Sequence, residues 1–138
     1  MSNTDEIRWR QRFENFQKAI AQLETACEKG EYFDLERAGL VQMFAFSYEL
    51  GWKTLKDLMF YEGYDVKTPR STIRKAFEAG YIDETDTELW LDALDKRNIL
   101  SHTYREEGAE EAVKLIKNQY TPMLDRVLGQ LCNKQNEP

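Results

Sequence analysis

Apolar residues recur at intervals of three and four along most of this 138-residue chain. That spacing places them on one face of an α-helix, whereas a half-buried strand would alternate apolar and polar residues. Only seven glycines and three prolines interrupt the pattern. The sequence therefore predicts an all-α fold, an antiparallel up-and-down bundle of four to five helices with short connections.

Five helical segments are predicted, several with recognisable ends. They run from about residue 5 to 28, from about 35 to 61 and from 68 to 80, with a fourth that opens at 85–88 and a fifth that starts near 106. Thr68 should cap the third helix with Pro69 in its first turn, and Thr85 with Glu88 has the pattern of a capping box. Pro122 should kink or break the fifth helix. We expect one domain over residues 1–132 and a polar tail over 133–138.

The second helix is apolar on more than one side, while the first and third have a single inward face. A helix of that kind is central in its bundle or is shared with a partner chain. The predicted stripes are Trp9, Phe13, Phe16, Ile20, Leu23 and Cys27 in the first helix, Val41, Phe44, Ala45, Tyr48, Trp52, Leu55 and Met59 with Leu40, Met43, Phe46 and Leu50 in the second, and Ile73, Ala76 and Phe77 in the third.

The formal net charge is −6, which argues against indiscriminate electrostatic binding of nucleic acid. Six acidic residues and no basic one lie within residues 83–95, and Lys96, Arg97 and Arg105 follow. Such a run usually forms a solvated helix face. The alternative is a small positive site within an acidic surface, which would favour one specific phosphate.

The chain shows no apolar run of membrane-spanning length and no apolar region of a signal peptide near Met1. Cys27 and Cys132 are far apart and give neither a metal-binding spacing nor a disulfide framework. We therefore expect a cytoplasmic protein with no membrane partner, no metal site and no cofactor.

The segment from Arg97 to Tyr104 carries most of the functional information, since it contains His102, the only histidine. Histidine exchanges protons near neutral pH, and arginine can hold a phosphate oxygen as charge builds on it. RNA supplies its own 2′-hydroxyl nucleophile, so a phosphodiester could be cleaved here without a metal.

Each residue also has an ordinary structural interpretation. Arg97 could pair with an acid such as Glu49 or Asp57, His102 could sit at a helix end, and Tyr104 could be simply half-buried.

Five residues along an ideal helix rotate the side chain by roughly 500°, which leaves Arg97 and His102 about 140° apart. They converge only if the helix ends or tightens near Leu100, or if two copies of the segment face each other. Two-fold dimers are the commonest soluble oligomers. We therefore predict a homodimer with a composite site in the cleft between the subunits.

Three blocks of the chain resemble one family in the same order. Arg97, the polar Asn98, His102 and Tyr104 resemble the R-x4-H-x-Y motif of the HEPN superfamily, and in particular the HepT-like proteins encoded beside a minimal nucleotidyltransferase (MNT). Residues 46–56, 71–80 and 98–104 are similar to that family's second helix, third helix and end of the fourth. The resemblance extends over roughly residues 8–130, and it implies a dimeric antiparallel bundle.

The resemblance further implies a toxin of a HEPN–MNT toxin–antitoxin pair, a metal-independent endoribonuclease. Arg97 and His102 would be catalytic, Asn98 would support them, and the nucleotidyltransferase antitoxin would adenylylate Tyr104. Two alternatives stay open: a non-catalytic substrate-binding subunit of the nucleotidyltransferase, and a helical interaction protein in which Arg97 and His102 only tie helices together. The expected partners are a second copy of the chain, the nucleotidyltransferase and an RNA substrate.

Overall fold

The computed structural model describes the backbone of residues 3–101 and 106–137 and the side chains of residues 4–97 and 108–137. The described residues form six α-helices and one π-helical segment, with no strand among them. The helices are α1 (Asn3–Ala26), α2 (Asp34–Tyr61), α3 (Pro69–Glu78), α4 (Glu84–Ser101), α5 (Glu106–Leu115) and α6 (Thr121–Gln135), and the π-helical segment is Ile116–Tyr120. The predicted antiparallel helical bundle is confirmed.

The second helix is the centre of the bundle, which is one of the two alternatives that its two apolar faces leave open. α2 packs against α1, α3, α4, α5 and α6. α1 and α6 run antiparallel: Arg10 Nη1 donates to the carbonyl of Gln135 at 2.8 Å, while Cys27 lies 3.6 Å from the Thr121 hydroxyl at the other end. Every helix and the π-helical segment contribute to the buried core, which includes Trp9, Phe13, Phe16, Tyr48, Trp90 and Tyr120.

One residue that was predicted to face inward, Phe77, is exposed, and so is Phe46 on the second apolar face of α2. Phe77 of α3 is 43% exposed and Phe46 of α2 is 62% exposed. Ile73 and Ala76 already bury the inner face of α3, and Phe77, one position further round the helix, lies at the edge of that face. The second apolar face of α2 is thus only partly covered within the chain.

The predicted break at Pro122 takes the form of a widened turn. Proline has no backbone N–H and its ring would collide with the carbonyl four residues earlier. The preceding five residues, Ile116–Tyr120, adopt π-helical geometry, and the N–H of Thr121 donates to the carbonyl of Ile116. The wider turn moves the obstructing carbonyl aside, so α5 and α6 follow each other with little interruption.

The acidic run is only partly a solvated face, which corrects the ordinary interpretation of that charge pattern. Asp83 rather than Thr85 caps α4, because its Oδ1 accepts the N–H of Asp86 at 2.7 Å. Asp86 is itself 5% exposed and accepts two hydrogen bonds from Arg126 at 2.7 and 2.8 Å. Asp92 accepts the Tyr120 hydroxyl at 2.6 Å. These carboxylates join α4 to α6 and to the π-helical segment.

Candidate functional site

Arg97 lies on α4 where it faces α2, and its partner is an acid that the sequence suggests. Its Nη1 donates to Glu49 Oε1 at 2.8 Å. The side chains of Arg97 and Glu49 are 31% and 40% exposed, so the ion pair lies at the bundle surface. The other acid considered, Asp57, pairs with Arg12 at 2.8 Å instead.

Glu49 is held from its other oxygen as well. Trp52 Nε1 donates to Glu49 Oε2 at 3.1 Å, and Lys53 Nζ lies 3.5 Å from the same oxygen. Trp52 is only 7% exposed, so its indole is fixed by the core. The apolar periodicity of α2 predicts Trp52 in the core stripe but gives no indication of its hydrogen bond. The available signal for that bond is the i, i+3 spacing of Glu49 and Trp52.

Tyr48 links the same region of α2 to the backbone of α4. Its hydroxyl donates to the carbonyl of Trp90 at 2.7 Å. Burial raises the pKa of Tyr48 well above its usual range, and the nearby positive charge of Arg97 opposes that rise. Tyr48 is therefore a neutral hydrogen-bond donor that fixes α4 against α2 near the guanidinium.

The remaining predicted site residues fall at the limit of the described structure. Asn98 is described only as backbone in the last turn of α4, while His102 and Tyr104 lie outside the described residues. Lys96, part of the predicted positive site, forms an ion pair with Asp92, with 3.3 Å between Lys96 Nζ and Asp92 Oδ2. Arg105 also lies outside the described residues.

α4 remains α-helical through Ser101. The described helix thus continues one residue past Leu100, while His102 lies outside the described residues, so the convergence of Arg97 and His102 stays a prediction. Phe46 lies one turn before Glu49 on α2 and is exposed beside it. The described part of the site is thus an anchored guanidinium next to an exposed aromatic residue.

A separate cavity of about 440 Å³ lies where the loop before α2 meets α5 and the π-helical segment. Its charged lining residues are of both signs, with Arg37, Lys114 and Lys117 against Glu31 and Glu110. Lys117 is already used there, since its Nζ donates to the carbonyl of Lys29 at 2.6 Å. Among the side chains of residues 4–97 and 108–137, no three His, Cys, Asp or Glu are grouped as they would be to hold a metal ion. No helix of the described structure could span a membrane.

The fold and the motif together define an all-α bundle with an anchored arginine near the end of its fourth helix. The family described as "Nucleotidyltransferase substrate binding protein like" matches residues 11–133. The chain belongs to that family.

One solved structure extends this likeness to the fold. The chain in the crystal structure of ttk003001694 from Thermus thermophilus is 30% identical in sequence to this chain. Its fold superposes on the present one with a TM-score of 0.77. The match covers 84% of this chain and 98% of the Thermus chain. No curated protein matches the sequence.

Proposed function

We propose that this protein is the toxin of a HEPN–MNT toxin–antitoxin pair: a metal-independent endoribonuclease that its nucleotidyltransferase antitoxin neutralises by adenylylating Tyr104. The observation that carries the proposal is the sequence Arg97-x4-His102-x-Tyr104 at the end of α4 in a chain of the nucleotidyltransferase substrate-binding family. The family membership supports a nucleotidyltransferase partner, and the motif supports the chemistry.

In this proposal, neutral His102 removes the proton from the 2′-hydroxyl of a ribose. The 2′-oxygen then attacks the neighbouring phosphorus, and Arg97 stabilises the negative charge of the pentacoordinate intermediate. The bond from phosphorus to the 5′-oxygen breaks and that oxygen takes up a proton. The products are a 2′,3′-cyclic phosphate and a 5′-hydroxyl, with Asn98 supporting the two catalytic groups.

The proposed site is composite and lies between two copies of the chain. We infer this arrangement from the sequence spacing, because Arg97 and His102 would point about 140° apart if both lay on one ideal helix. Phe46, exposed beside the Glu49–Arg97 pair, gives the second copy an apolar contact there. A histidine of the second subunit could then protonate the leaving oxygen.

Tyr104 is the proposed point of control. Its hydroxyl oxygen would attack the α-phosphorus of ATP held by the nucleotidyltransferase, forming a phosphodiester to AMP and releasing pyrophosphate. The added negative charge and bulk would compete with the RNA phosphate at Arg97. This assigns the antitoxin an enzymatic rather than a purely steric role.

A second candidate is a non-catalytic subunit that binds the substrate of a nucleotidyltransferase. The family's own description favours it, as does the engagement of Arg97 by Glu49. In that case His102→Ala would leave the behaviour of the protein in cells unchanged, and its complex with the nucleotidyltransferase would be the main observable.

The two candidates are separated by expressing the wild type and His102→Ala and measuring growth and RNA cleavage. We expect the wild type to arrest growth and to cut RNA in EDTA, and His102→Ala to do neither while keeping the helical circular dichroism signal. Loss of cleavage in EDTA would contradict the metal-independent mechanism. Products with 3′-hydroxyl ends would contradict the cyclic-phosphate route.

The role of Tyr104 is tested with Tyr104→Phe, which removes only the acceptor oxygen. We expect this variant to cut RNA as the wild type does and to escape its antitoxin. Incorporation of labelled AMP into Tyr104→Phe at the wild-type level would show that another residue is modified.

A further inference from the structure

We propose that Glu49 is a positioning residue for the proposed RNA site, setting the direction of the Arg97 guanidinium. The inference rests on the proposed nuclease function and names a residue outside the R-x4-H-x-Y motif. Glu49 is on α2 and Arg97 on α4, and Nη1 lies 2.8 Å from Oε1. The contact therefore spans two helices rather than stabilising a turn of one.

The carboxylate of Glu49 can act as a fixed reference because its two oxygens have different partners. Oε1 accepts from Arg97, while Oε2 accepts from the indole of Trp52 at 3.1 Å. Trp52 belongs to the buried core cluster. Hydrogen bonds thus connect a rigid core side chain through Glu49 to the guanidinium.

An unanchored arginine samples many rotamers, and ordering it at the transition state costs conformational entropy. A guanidinium is planar and carries its five N–H donors in a fixed arrangement, so a carboxylate that engages Nη1 restricts the direction of the whole group. Misplacement of a catalytic group by about 1 Å can lower a rate by about a hundredfold. Anchoring by Glu49 should therefore raise kcat.

Glu49 also has an opposing effect, since its negative charge reduces the attraction of Arg97 for a phosphate. The two side chains are 31% and 40% exposed, and solvent and salt screen charges at such a surface. Screening weakens the electrostatic effect but leaves the geometric one in place. The two effects differ in sign, so a single substitution distinguishes them.

The test compares Glu49→Gln with the wild type on a short RNA, using the full-length protein. Glutamine keeps the shape of glutamate and removes the charge that holds the guanidinium. We expect kcat to fall by about tenfold or more, while KM and the affinity for a non-cleavable 2′-deoxy analogue change less than about threefold. Trp52→Phe, which keeps an aromatic ring and removes the Nε1 donor, should lower kcat in the same direction by a smaller factor.

Asp86→Asn is the matched control, because Asp86 forms an ion pair between α4 and α6 at a distance from the motif. It should lower stability and leave kcat unchanged. A wild type that cleaves no RNA overturns the proposed function and with it the role of Glu49. An active wild type whose Glu49→Gln variant keeps its kcat, or gains activity, overturns the positioning role alone.

Discussion

Gly51 of α2 lies directly against two aromatic rings of neighbouring helices, and Gly51→Ala tests this packing. An ideal Cβ at this residue would lie 2.9 Å from a ring carbon of Trp90 and 3.0 and 3.1 Å from two of Phe16. Real Cβ contacts of this kind are rarely below 3.4 Å. Trp90 and Phe16 are both 0% exposed, so neither ring can move without displacing other core side chains.

The expected change in the free energy of unfolding is the balance of two opposing effects, the higher helix propensity of alanine and the steric cost of its methyl group. Alanine favours an α-helix over glycine by about 1 kcal/mol. Overpacking a dense core costs about 1 to 3 kcal/mol, and here it involves two fully buried rings. We therefore expect Gly51→Ala to lower the free energy of unfolding by about 1 to 2 kcal/mol.

Gly39 provides the matched control within the same helix, because nothing lies within 4 Å of its ideal Cβ. Gly39→Ala should show the helix term alone and stabilise the protein by about 0.5 to 1 kcal/mol. The difference between the two variants isolates the steric term. Urea unfolding of both, with unchanged m-values, measures it. If Gly51→Ala were as stabilising as Gly39→Ala, the close approach of α4 and α1 to α2 would be wrong.

Three further predictions concern charge and capping. Burial raises the pKa of Tyr120, as does its hydrogen bond to Asp92; above the ordinary value of 10.0 the unfolded chain loses this proton while the folded chain keeps it. The stability contributed by the neutral Tyr120 is therefore present below about pH 10 and is lost as the pH rises. In Tyr120→Phe, the free energy of unfolding should fall less steeply above that pH, by about 1.4 kcal/mol per pH unit. An unchanged slope would contradict the burial of Tyr120. Thr68→Ala removes the hydroxyl that accepts the N–H of Ser71 at 3.1 Å. Thermal unfolding should then show a free energy of unfolding that is lower by about 1 kcal/mol. No loss of stability would mean that the cap is not formed. Asp86→Asn should cost about 1 to 2 kcal/mol in urea unfolding, because the buried carboxylate loses its charge-assisted bonds to Arg126; a cost near zero would mean that Asp86 is solvated after all.

Periodicity was enough to predict the helices, because burial of apolar side chains follows the helical repeat directly. It left open whether α2 is central in the bundle or shared with a partner chain. The residue types at Thr68 and Pro69 were enough to predict the start of α3, and Pro122 was enough to predict an irregular turn in the last helical segment. These features depend on neighbours in sequence, so one sequence contains the needed information.

The features that sequence reasoning missed depend on contacts between distant parts of the chain. The burial of Asp86 follows from Arg126 on α6, whose sequence separation is 40 residues, and nothing in the acidic run marks it. The exposure of Phe46 and Phe77 depends on how far neighbouring helices reach. Arg97 shows the intermediate case, because its need for an acid was predictable and the choice between Glu49 and Asp57 required the packing of α4 on α2.

The central claim is that two subunits together form one RNA-cleaving site, with Arg97 from one and His102 from the other. It is tested by purifying a mixed dimer, through two different tags, from Arg97→Ala and His102→Ala subunits that are each inactive alone. Such a dimer keeps one Arg97 and one His102, on different subunits, so we expect it to regain part of the wild-type cleavage that neither parent shows. A mixed dimer as inactive as either parent, or a protein that stays monomeric, would contradict it.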